Sequence, residues 1–158
     1  MRGLPAFKGD DGRRDGANKG YLVELSDQYW QGDTTDKRQS WVRPELAGYL
    51  LHLRDRMGRL VGDGAWQLPV VALGRAADNA SGWEEELHAK GVAVRLGLSG
   101  LSIAERDHLK QLLQQDYLFD RIYLRSSRDE HHLVLNPRYG HEFMKLYQNK
   151  LGVKRAGD

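Results

Sequence analysis

The sequence predicts an α/β fold: a mostly parallel sheet of about five strands, helices on both of its faces, and an antiparallel hairpin near the C-terminus. Three observations carry that expectation. Residues 66–98 hold an apolar run, a turn, a capped helix, a glycine stop and a second apolar run, the pattern of a strand–helix–strand crossover. Residues 44–60 have the period of a long core-facing helix. Residues 119–136 hold two short β-type runs around a polar turn.

In chain order, residues 1–20 contain five Lys or Arg, three Asp and five Gly with almost no apolar periodicity, so a flexible tail is expected. Residues 21–25 alternate apolar and polar and read as a strand; residues 26–40 are polar and read as a long loop bracketed by Tyr29, Trp30 and Trp41. Pro44 suits the first position of a helix, where its missing N–H costs nothing. Leu46, Leu50, Leu53, Met57 and Leu60 then recur at steps of three and four. Residues 68–73 are apolar on both faces, which suits a strand covered on both sides. Ser81 with Glu84 forms a capping-box pattern, Glu84–Glu86 complement the helix dipole, and Gly91 stops the helix.

Val92, Val94, Leu96 and Leu98 follow with period two. If this ribbon lies beside residues 68–73, a right-handed parallel crossover is expected. Ser102 and Glu105 make a second capping box, opening a helix that runs to about Gln115. Residues 119–126 and 131–136 flank the turn at 127–130 as an antiparallel pair. Asn136 and Pro137 then open a last helix, with Phe143, Met144, Tyr147 and Leu151 on its apolar side. Residues 21–152 are thus expected to form one domain, with residues 153–158 frayed. An alternative parse is α+β, its C-terminal half a winged helix with the 127–130 hairpin as the wing. It requires a helix-turn-helix pair where residues 92–98 read as strand.

Composition bounds the function. The chain has no cysteine, which excludes disulfides, thiolate metal sites and cysteine nucleophiles. No apolar run approaches the ~20 residues of a membrane span, and no secretory signal pattern is present, so a cytoplasmic location without membrane contact is expected. A formal net charge of +2 permits a polyanionic partner without demanding one.

Three readings follow. The first is a non-catalytic nucleic-acid-binding accessory protein, contacting phosphates through Arg54, Arg56, Arg59, Arg75, Arg125 and Arg128, with Trp30 stacking on bases. The second is a small enzyme or nucleotide- and phosphate-binding module. Its anion site would use Gly74, Arg75, Asn79 and Ser81 in one turn and Ser99 and Ser102 in another, at the carboxyl ends of parallel strands. The third is an assembly subunit that meets a protein partner or a second copy of itself through uncovered aromatics.

The cluster Asp129, Glu130, His131, His132, His141 and Glu142 has metal-ligand chemistry. Adjacent residues on a strand point to opposite faces, however, so at most one of His131 and His132 can join His141. No metal and no cofactor is expected. Nucleophile-elbow, zinc-protease, Walker and dinucleotide-binding patterns are absent, and no catalytic residue is assigned.

Overall fold

The computed structural model describes residues 4–31, 41–73 and 82–151. The elements in chain order are α1 (Gly9–Asn18), β1 (Val23–Glu24), β2 (Trp30–Gln31), β3 (Trp41–Val42), α2 (Pro44–Val61), β4 (Leu68–Ala72), α3 (Gly82–Ala89), β5 (Ala93–Gly97), α4 (Ile103–Leu118), β6 (Ile122–Ser126), β7 (Glu130–Leu135) and α5 (Gly140–Leu151). Short 3-10 turns occupy Asp27–Tyr29 and Pro137–Tyr139. Helices and strands are mixed, as the α/β class requires.

The sheet itself corrects the sequence expectation. Its order is β2-β4-β5-β7-β6, and only β2 and β4 run parallel, Trp30 opposite Leu68. The β4–β5, β5–β7 and β6–β7 pairs are antiparallel. Val70 faces Leu96 on an opposed strand, so the parallel crossover expected across residues 66–98 does not exist. The reason is that a run apolar on both faces reports coverage on both faces and carries no information about direction. Between Val70 and Ala72 the register slips by one residue, a bulge that leaves Val71 exposed. Gly97 makes room there, since a Cβ on it would lie 2.7 Å from Val71 Cγ2. The C-terminal hairpin has the expected antiparallel sense. Through the β5–β7 ladder it is built into the sheet rather than standing apart as a wing.

Alternation along β5, β6 and β7 divides the sheet into two faces. The inner face carries Val94, Leu96, Ile122, Leu133 and Leu135, packed with Leu50, Leu53 and Met57 of α2, Leu109 and Leu113 of α4, and Phe143 and Tyr147 of α5. The outer face carries Ala93 and Val134, covered by Leu87 of α3. The first strand expected at residues 21–25 is reduced to β1, which pairs with β3 in a separate two-stranded ribbon. Residues 32–40 of the expected long loop and residues 153–158 of the expected frayed end lie outside the described residues.

Residues 4–20, expected as a flexible tail, are a second correction. They contain α1, and Phe7 and Arg13 are buried. Arg13 donates from Nη1 to the carbonyls of His88 (3.2 Å) and Ala89 (3.0 Å), and the Phe7 N–H donates to Ala89 O at 2.8 Å. A guanidinium on the last carbonyls of α3 completes a helix end whose dipole favours positive charge. Low apolar content misled because the docking is polar.

Two contacts hold the helices on the inner face. Helix α2 crosses α5 at Gly48, where a Cβ would stand 1.8 Å from the carbonyl oxygen of Phe143; beside it Tyr49 meets the Phe143 ring edge-on, centroids 5.1 Å apart. Asp116 of α4 is wholly buried and accepts from Tyr49 Oη (2.7 Å), Arg56 Nη2 (2.6 Å) and Arg121 Nη1 (3.2 Å). Burial alone would raise the Asp116 carboxyl, but these donors outweigh it and hold it below the ordinary carboxylate range.

Gly48→Ala must push two backbones apart, so a loss of at least about 3 kcal/mol is expected, read as a lowered denaturant midpoint. Arg56→Ala removes the strongest partner of a buried carboxylate and is expected to cost about 3–5 kcal/mol in the same measurement.

Candidate functional site

The outer face of the sheet is polar at one end, and the strand register decides what meets there. Arg95 of β5 lies opposite His132 of β7, and His132 lies opposite Arg125 of β6. Glu130, two residues before His132, shares their face and lies opposite Gly97. Arg95, Arg125, Ser126, Ser127, Glu130 and His132 line a cleft of about 230 Å³. Helix α3 packs beside it: Glu84 and His88, one turn apart, are both buried, Glu84 pairing with Arg95 and Arg125 and His88 stacking on His132.

Charge in the cleft is balanced by ion pairs. Arg95 donates from Nε to Glu130 Oε2 at 2.8 Å and again through Nη2, and its Nη1 stands 3.6 Å from Glu84 Oε2. Arg125 donates to Glu84 Oε1 at 2.5 Å while keeping 66 % of its side chain exposed. Glu84 therefore bridges two guanidiniums on strands that β7 separates.

The imidazoles are the unusual part. His88 and His132 stack with centroids 5.6 Å apart and planes 3° from parallel. His88 Nδ1 lies 2.5 Å from the carbonyl oxygen of Leu73, which fixes the proton on that nitrogen and leaves the Nε2 lone pair inward. His132 Nδ1 faces Arg125 Nη2 at 3.5 Å, where it accepts. Nε2 of both rings is buried with no hydrogen-bond partner among the described residues. Burial pushes His88 down to about 4 and also lowers His132, so both rings are neutral at pH 7.

Two exposed aromatics adjoin residues of the cleft. Trp83 of α3 is 61 % exposed and meets the His132 ring edge-on at 6.5 Å. Tyr123, 55 % exposed, sits two residues before Arg125 on the same face of β6.

The residues singled out in sequence distribute differently. Trp30 is 2 % exposed and donates its indole N–H to Leu25 O at 3.2 Å; its ring is core and presents no face to a base, which corrects that expectation. Arg56 is committed to Asp116. Arg54 donates to Gly64 O, lies over the Tyr29 ring, and shares a shallow hollow with Arg59 near the end of α2. Arg125 lies across the sheet at the outer cleft, and Arg128 is exposed in the neighbouring hairpin turn. The five of these arginines that are described therefore form no single patch.

Gly74, Arg75, Asn79 and Ser81 lie outside the described residues. Ser102 is the N-cap of α4, accepting from the Glu105 N–H at 3.1 Å while Glu105 accepts from the Ser102 N–H at 3.0 Å. Its turn, with Ser99 exposed, adjoins the hairpin through the Leu98 N–H to Asp129 O bond. The sheet is not parallel here, so this turn is not the strand-end anion site that a parallel fold would provide. His131 lies on the inner face, with Nδ1 2.7 Å from Ser126 Oγ, and so is parted from His132; His141 is exposed on α5. Among the described residues, no three His, Asp or Glu side chains are grouped to hold a metal ion, and no helix is long and apolar enough to cross a membrane.

Sequence reading passed over Arg95, Glu84, His88, Trp83 and Tyr123. The only available signal was the period-two polarity of Arg95, Tyr123, Arg125, Glu130 and His132, which marks one face of three strands. No known protein family, curated protein or solved structure matches the chain.

The His88 ring gives the cleft a pH dependence. Above pH 6.5 the imidazole is neutral in both folded and unfolded chains and costs nothing. As pH falls from 6.5 towards 4 the unfolded chain takes up the proton and the folded one does not, so stability is lost. The loss is on the order of 3 kcal/mol when complete. Thermal unfolding across that range is expected to show it, with a shallower slope in His88→Phe.

Proposed function

We propose that the chain binds single-stranded nucleic acid across the outer face of the sheet. Bases stack on Trp83 and Tyr123, and phosphates lie against Arg125, Arg95 and Arg128. The observation that carries this reading is that two aromatics at least half exposed, Trp83 against the His132 ring and Tyr123 two residues before Arg125, adjoin residues of a cleft that holds two arginines. Aromatic faces accept any base, and guanidiniums track the backbone, so the combination favours a strand over a duplex and asks for no particular sequence.

It replaces the stacking role expected for Trp30 and keeps Arg125 and Arg128 from the residues expected in sequence. Arg54, Arg56 and Arg59 drop out, because their helix lies on the other side of the sheet. Glu84 tempers the affinity, since a phosphate must share its guanidiniums.

Fluorescence anisotropy with labelled single strands at several salt concentrations tests the reading. Three phosphate contacts predict a slope of log affinity against log salt near −2, about −0.7 for each contact. Trp83→Ala and Tyr123→Ala are each expected to weaken binding by about 5- to 150-fold, the range for one lost stack. Arg125→Ala is expected to flatten the salt slope. No binding at low salt, or binding indifferent to both aromatics, overturns it.

A further inference from the structure

We infer that the same cleft cleaves RNA, by attack of a ribose 2′-hydroxyl on the adjacent phosphodiester, with Glu130 as general base and His132 as general acid. The inference rests on the single-strand reading above and adds a reaction to it. Glu130 and His132 occupy one face of β7 two residues apart, about 6.6–6.8 Å along the strand, a span that a phosphoryl group fills with one residue on either side. The register places Arg95 and Arg125 on the flanking strands, directly opposite His132 on either side. Two guanidiniums so placed stabilise the charge that gathers on the non-bridging oxygens in the transition state.

His132 is 93 % buried, with Nε2 unpartnered among the described residues, yet it lines the cleft. A buried imidazole with an idle nitrogen is expensive to keep for stability alone. His88, stacked behind it and fixed on Leu73 O, positions its ring.

The step balances within the substrate and these two side chains. The Glu130 carboxylate takes the 2′-hydroxyl proton as the 2′-oxygen forms its bond to phosphorus. The bond from phosphorus to the 5′-oxygen breaks, and the His132 imidazolium gives its proton to that oxygen. The products are a 2′,3′-cyclic phosphate and a free 5′-hydroxyl, and Glu130 and His132 have exchanged protonation states. DNA lacks the nucleophile, so it is a ligand and not a substrate.

His132 is faced by Glu84 and His88 from α3, Arg95 from β5, Arg125 from β6 and Glu130 from its own strand. The arginines and burial favour its neutral form, while the bound phosphodiester supplies negative charge that favours the acid form. The rate is therefore expected to be greatest in acid and to fall as pH rises.

The test incubates the full chain with a mixed-sequence RNA strand and with DNA of the same sequence, both with a chelator present. RNA is expected to yield fragments ending in 2′,3′-cyclic phosphate, and DNA to remain bound and intact. Glu130→Gln, which keeps an acceptor oxygen for Arg95, is expected to slow cleavage about 100-fold or more while binding changes little. His132→Gln is expected to do the same and to abolish the fall at high pH. RNA that is bound but uncut overturns the inference and leaves the binding reading in place; absence of binding overturns both. Cleavage at one rate in the parent chain and in Glu130→Gln comes from elsewhere and also overturns it.

Discussion

The register of β7 is the constraint on which the rest of this structure depends. The strand lies between β5 and β6 and is buried along most of its length, so both of its ladders are fixed at once. A slip of one residue would turn Leu133 and Leu135 out of the core and bring His132 and Val134 in, which the apolar inner face does not allow. The hydrophobic demand of one face therefore sets the polar arrangement of the other. Arg95, His132 and Arg125 fall into line because Val94, Leu133 and Leu124 do so one residue away.

Above that row, α3 is a short helix with modest apolar surface, and its position depends on polar contacts at both faces. Glu84 reaches down to Arg95 and Arg125, while Arg13 of α1 fills the positions beyond the last turn. The N-terminal segment thus belongs to the outer layer: it secures the helix that carries Glu84 and His88. Among the described residues, Nε2 of His88 and of His132 is buried without a hydrogen-bond partner.

Much of the element list was legible. The α2 stripe, the Ser102–Glu105 capping box, the Gly91 stop and the hairpin around residue 127 each follow from local chemistry and are found where that chemistry points. Strand direction was not legible, because Val70 and Val94 look alike to a hydrophobicity pattern whichever way their strands run. Trp30 misled for a related reason. An aromatic in a polar stretch reads as exposed, but pairing β2 with β4 draws it beneath the sheet edge, where Leu25 O satisfies its indole. Arg56 likewise reads as a surface charge until α4 brings Asp116 against it from 60 residues away.

By itself the sequence determined the courses of α2, α3 and α4, most of the apolar residues they bury, and that any chemistry runs without cysteine, since these depend on side chains a few positions apart. Only the tertiary structure decided the direction of the strands and the meeting of Glu84, His88, Arg95, Arg125, Glu130 and His132. Those residues come from four separate elements, and what aligns them is a ladder of backbone hydrogen bonds. Such bonds carry no residue-specific signature along the chain, so the cleft exists only once the strands have paired.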